Sequence, residues 1–108
     1  MNTVEILKGA KALLETKGWT QGAYARGKSG RVVKQPRNAV CFCGIGAISV
    51  AAGGNTDDDL GYDAYKALER IVGSGFPHYN DAPGRTKEEV LAVFDKAIAA
   101  EEGRVDAA

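Results

Sequence analysis

At 108 residues, 44% hydrophobic and 26% charged, the chain has the balance of an ordinary folded domain, large enough to bury a modest core without disulfides or metal. Its formal net charge is zero, so no global surplus points to nucleic acid or to a membrane surface. No apolar run approaches the roughly 18 residues that cross a bilayer, and the opening Met-Asn-Thr-Val-Glu-Ile lacks the basic-then-apolar order of a secretory signal.

In chain order, Thr3 is placed to cap a first helix whose apolar stripe is Ile6, Leu7, Ala10, Leu13 and Leu14. Gly18 stops it. Residues 24–26 and 31–34 read as two short strands around the turn Gly27-Lys-Ser-Gly30, a hairpin that Trp19 and Val33 pin to the helices. Pro36 ends the strand and Asn38 caps the next segment. Residues 39–52 carry no charge and no polar face, which predicts a helix buried at the centre of the domain, with a buried strand as the second reading. Gly44 and Gly46 each cost such a helix about 1 kcal/mol relative to alanine, a loss that close packing would offset.

Asn55-Thr-Asp-Asp-Asp59 then caps a third helix that turns Leu60, Ala64, Ala67, Leu68, Ile71 and Val72 inward and ends at Gly73-Ser-Gly75. Residues 76–84 are dense in turn formers and read as a loop. Thr86 and Glu89 form a capping box for a fourth helix, with Val90, Leu91, Phe94, Ala97 and Ile98 on its inner face and Gly103 at its close. The expected fold is mainly α with a small β-hairpin, an α+β arrangement of about four helices around the buried 39–52 segment. One domain over 1–103 and a flexible tail over 104–108 complete it.

Two segments attract functional attention through charge. Residues 17–56 hold six bases (Lys17, Arg26, Lys28, Arg31, Lys34 and Arg37) and no acid, whereas residues 57–108 hold twelve acids and six bases. Arg26, Lys28, Arg31 and Lys34, with Tyr24 alongside, are therefore candidate contacts for phosphates or for an acidic protein face. Neutral overall charge and a single nearby aromatic favour protein over nucleic acid, and a solvated hairpin tip, or a charge match to the acidic half of a second copy, is equally economical. In the 78–86 loop, Asn80, Asp81, Arg85 and Thr86 converge before a helix N-terminus, as a small-anion pocket requires. The bland reading of the same residues is turn chemistry, with Arg85 paired to Glu88, Glu89 or the Asp57–Asp59 run.

Cys41 and Cys43 lie too close in sequence to bridge each other in regular structure, so reduced thiols and a cytoplasmic setting are expected. With His78 they do not make the four-ligand set of a structural zinc site, and no metal or cofactor is expected. Catalysis by Cys41 would need His78 as base and Asn80 or Asp81 as its orienter. Core packing explains both cysteines more simply, Cys43 being the more buried. Gly44-x-Gly46 lacks the residues of a Walker or dinucleotide loop, and Asp57–Asp59 lacks the spacing of a calcium loop.

Gly18-Trp-Thr-Gln-Gly-Ala23, Cys43-Gly-Ile-Gly-Ala47 and Tyr79-Asn-Asp-Ala-Pro-Gly-Arg-Thr86, followed by Glu89-Val-Leu, together resemble a family of small proteins of bacteria and their phages. That family is classed only as a domain of unknown function, number six-one-nine-seven. The resemblance rests on Trp19, Gly22, Cys43, Gly44, Ala47, Asn80, Asp81, Arg85 and Thr86; His78 has no place in it. It implies a stand-alone cytoplasmic domain, often phage-borne, with no assigned activity. The function expected is non-enzymatic binding of another macromolecule, as a counter-defence inhibitor or host-modulating protein. The alternative is a small-ligand binder or thiol-dependent enzyme using Cys41 or Cys43 with the 80–85 loop.

Overall fold

Asn2, not Thr3, caps the first helix: its Oδ1 accepts the Glu5 amide at 2.8 Å while Glu5 Oε1 accepts the Asn2 amide at 3.1 Å. A computed structural model describes residues 2–107; Met1 and Ala108, the outer ends of the expected domain and tail, lie outside the described residues. The helix, α1 (Thr3–Thr16), buries Leu7, Ala10 and Leu14 on the stripe its spacing predicts. The chain then forms β1 (Ala25–Arg26), a 3-10 turn (Pro36–Asn38), β2 (Cys41–Phe42) and α2 (Gly44–Ala51). Three helices follow: α3 (Tyr62–Val72), α4 (Phe76–Asp81) and α5 (Lys87–Ala107). Helices α1 and α3 both pack on α5, and α1 also packs on α2. The α+β class holds, with five α-helices and one small antiparallel sheet among the described residues.

The buried segment 39–52 is not one helix. Its first part is extended because its backbone groups find partners outside the segment. The Val40 amide bonds Arg26 O, the Phe42 amide Gly18 O, and the Cys43 amide Tyr24 O, at 2.9–3.0 Å. Ala25 stands opposite Phe42 and Arg26 opposite Cys41. The expected 24–34 turn does close, through an antiparallel bridge between Arg26 and Val32, but the main sheet pairing of β1 is with β2. Helix α2 begins only at Gly44, so both glycines fall in its first turn and cost it less than they would in the interior.

Close approach is the reason those glycines are there. A Cβ on Gly46 would stand 2.1 Å from the Tyr24 carbonyl oxygen, and one on Gly44 would stand 2.3 Å from the Phe76 ring. The Tyr24 backbone, just before β1, thus rests on one side of the first turn of α2 and an aromatic cluster on another. In that cluster Phe76 meets Phe94 edge-on at 6.1 Å and stacks with Tyr79 at 5.9 Å.

Three further boundaries differ from the expectation. Asp57–Asp59 do not cap α3, which starts after Gly61; Asp58 instead accepts the Asn55 amide at 2.7 Å and closes a turn. Leu60 consequently lies outside the helix and exposed. Residues 76–81 form α4 rather than a loop, Pro77 in the first turn being where proline is tolerated. Finally, α5 continues through Gly103 to Ala107.

Candidate functional site

Helix α4 exists at its position because Asn80 anchors it. The Asn80 side chain is buried, and its Oδ1 accepts Trp19 Nε1 at 2.8 Å and the Gly44 amide at 3.1 Å. Its Nδ2 donates to Thr20 O at 3.2 Å and to Asp81 Oδ1 at 2.9 Å. An asparagine amide offers two acceptor sites and two donors, and all four are used. Gln21 completes the clasp from the other strand of chain, donating through Nε2 to Asn80 O at 2.9 Å and Ala82 O at 3.0 Å. The Gly22 amide reaches Asp81 Oδ1 at 3.1 Å. Residues 19–22, α4 and the N-terminus of α2 are thereby locked together.

Beside the clasp opens a cleft of about 490 Å³. Tyr24, Val32, Ile45, Tyr65 and Pro77 supply its apolar wall. The polar residues of its lining are Cys43, Asn80, Asp59 and Asp81. Asp59 adopts a left-handed backbone (φ 56°), a conformation that aspartate tolerates better than most residues. The Tyr65 hydroxyl donates to Glu69 at 2.8 Å, and that carboxylate pushes the phenol up to about 12, so the ring stays neutral.

The expected site residues fall into different surroundings. Arg26 directs its guanidinium inward, to Thr20 Oγ1, Gln21 O and Gly30 O at 3.0–3.2 Å. Lys28 and Arg31 are exposed, and Lys34 stands 3.8 Å from Asp57. Arg85 lies 3.6 Å over the Tyr79 ring and donates to Tyr79 O at 2.8 Å and to Glu89 at 3.4 Å. Thr86 and Glu89 form the capping box: Glu89 Oε1 accepts the Thr86 amide at 2.9 Å, and Thr86 Oγ1 accepts the Glu89 amide at 3.2 Å. The protein's own carboxylate thus occupies the amide position where an anion would bind. Asn80, Asp81, Arg85 and Thr86 engage the rest of the chain rather than converging on one point.

Cys43 is the N-cap of α2, its Sγ accepting the Gly46 amide at 3.3 Å. Burial pushes this thiol up; the Gly46 amide opposes that shift, and the Asp81 carboxylate adds to it. Cys41 is half-buried on β2, its sulfur 4.0 Å from Arg26 O. His78 is exposed on α4, and neither it nor Cys41 lines the cleft that Cys43 reaches. Among the described residues no three His, Cys, Asp or Glu side chains gather as metal ligands.

Sequence reasoning singled out Gly22, Tyr24, Cys43, Asn80 and Asp81, but not Val32, Ile45, Tyr65 or Pro77 as neighbours of one cavity. Gln21 was legible only as part of the string Gly18-Trp-Thr-Gln-Gly-Ala23. No curated protein and no solved structure matches the chain. A family model does match, over residues 1–100, and its description is a family of unknown function, DUF6197. With nearly the whole chain covered, including the clasp and the cleft, this protein belongs to that family.

Proposed function

We propose that this chain is a non-enzymatic binding domain whose ligand is another protein, gripped at the cleft and along the adjoining basic segment. The observation that carries this reading is the cleft's rim. Tyr24 is 48% exposed and Val32 62% exposed, and both belong to an apolar wall that also holds exposed Pro77 and half-buried Ile45 and Tyr65. Exposed apolar side chains scattered singly need no explanation, but two on the lip of a 490 Å³ cavity form a surface that a partner would cover. Lys28 and Arg31 lie in the same segment and would supply a polar rim. Arg26 commits its guanidinium N–H groups to Thr20, Gln21 and Gly30, which leaves fewer donors for a phosphate and favours a protein over nucleic acid.

The role we attach to this binding is host modulation or counter-defence inhibition in the cytoplasm, in line with the bacterial and phage resemblance and the two free thiols. A thiol-dependent enzyme using Cys41 or Cys43 has less support. The Cys43 thiol is held protonated, caps its own helix, and does not share its cavity with His78.

The test is capture from a bacterial lysate by the immobilised chain, quantified by mass spectrometry. Val32→Glu, and separately Lys28→Glu with Arg31→Glu, alter exposed side chains and leave the core intact. Val32→Glu, which sets a charge against the apolar contact, should lower recovery of the specific partner about tenfold, and the reversed pair of rim charges should lower it by a smaller factor that shrinks as salt is raised. Equal recovery by all three proteins would rule the surface out.

A further inference from the structure

The cleft's charge is one-sided, and this points to the chemistry of what enters it. Of the described residues that line it, the charged ones are Asp59 and Asp81, with no lysine, arginine or histidine among them. The basic residues of the adjoining segment sit outside that lining, so the cavity is an acidic pocket set beside a basic rim. Asp81 is held by two donors, the Gly22 amide and Asn80 Nδ2. Among the described residues both contacts fall on Oδ1, which leaves Oδ2 as an acceptor for an outside group. Asp59 also lines the cleft, from the 57–61 turn, near enough to Tyr65 for its charge to be felt there. Tyr24 and Tyr65 line the same cleft. Tyrosine faces attract cations, and the same pairing already occurs inside this fold, where Arg85 lies 3.6 Å over Tyr79.

We propose that the partner inserts a basic side chain, a lysine ammonium or an arginine guanidinium, into this cleft. Asp59 and Asp81 receive the charge, and Tyr24, Tyr65 and Ile45 cover the alkyl stem. The inference rests on the protein-binding reading above and specifies the anchor that reading lacks. A long stem with a charged end fits a cavity that is apolar along its walls and acidic at two points. Neutral apolar side chains would leave both carboxylates facing an uncompensated interface, a cost that selects against them.

The experiment is an NMR titration of the full chain with N-acetylated, C-amidated lysine and arginine, using the equally capped norleucine as a neutral control of similar length. The cationic ligands should shift the amides of Gly22, Asp59, Tyr65 and Asp81 saturably, and norleucine should not. Asp59→Asn retains the left-handed turn and Asp81→Asn retains an Oδ1 acceptor for the clasp. Each should weaken binding about threefold, the scale of an exposed ion pair, and raised salt should weaken it further. Equal shifts with norleucine, or no saturable shift with either cation, would overturn the inference. So would tighter binding of free pentane-1,5-diamine than of the capped amino acids. Dimerisation in analytical ultracentrifugation that Asp81→Asn abolishes would place a second copy's basic segment in the cleft and exclude a separate partner. If the cation preference fails while Val32→Glu still abolishes capture, only the anchor is wrong. If neither Val32→Glu nor the Lys28→Glu, Arg31→Glu pair changes capture, the binding reading falls with it.

Discussion

The Asn80 clasp and the cleft beside it share Asn80, Asp81 and Gly22, yet they use polar chemistry in opposite ways. In the clasp, every hydrogen-bonding position of the Asn80 side chain is filled from within the chain. In the cleft, two carboxylates and two tyrosine rings line open space. The difference separates residue types that build from residue types that receive. A fully satisfied buried amide fixes geometry and leaves nothing to offer a ligand. Groups on the open side of the same wall keep unspent valences, held in place by the satisfied ones behind them.

The sharpest way to break this contrast is Asn80→Ala. It leaves Trp19 Nε1 and the Gly44 amide without their acceptor, and an orphaned buried donor costs about 1–3 kcal/mol. Urea unfolding should therefore show a loss of about 3 kcal/mol, whereas the exposed rim change Val32→Glu should stay within about 0.5 kcal/mol of the parent. A loss at Asn80 no larger than at Val32 would erase the distinction between clasp and rim.

A smaller effect is expected at Cys43, which belongs to both regions. If its service is to cap α2, Cys43→Ala should cost about 1 kcal/mol while Cys43→Ser, with a better capping atom, should recover it. The same thiol should resist iodoacetamide at neutral pH until the protein unfolds, since burial raises its pKa. Rapid alkylation of the folded protein would restore the nucleophile reading.

The smallest expected effect lies at the capping box after the clasp. The Thr86 amide, and secondarily the Arg85 charge, hold the Glu89 carboxyl below its ordinary 4.5. A folded-state pKa below the unfolded one stabilises the fold at pH above the unfolded value, and that contribution disappears as pH falls through the lowered folded value. Glu89→Gln should accordingly be less stable than the parent at neutral pH, with the two denaturation midpoints converging once pH has fallen through the lowered folded value. Parallel curves across the whole acid range would show that the box carries no charge-dependent stability.

Much of the helical frame could be read from the chain. The stripes of α1 and α5 bury Leu7, Ala10 and Leu14, and Val90, Phe94 and Ala97, where their spacing predicts. Gly44 and Gly46 were legible as a close-packing surface, though not what would lie against them. The extended stretch 40–43 was hidden because its hydrogen-bond partners, Gly18, Tyr24 and Arg26, lie far back along the chain. Helix α4 was hidden for a related reason. Six residues with a proline have little helical tendency of their own, and the Asn80 hub that holds them draws on residues 19, 20 and 44. The cleft was beyond reach altogether, since residues 22, 45, 59, 65 and 81 meet there only once the chain has folded.

What residue order determined alone is local: amphipathic period, capping groups, turn formers, and glycines where bulk is not tolerated. These arise from interactions among residues a few positions apart, which a linear reading can trace. The tertiary structure decided which polar side chains would be consumed as internal joints and which would remain open beside them. That choice depends on burial and on donors brought from distant segments. It is why Asn80 became a scaffold and Asp81 a bridge between scaffold and surface.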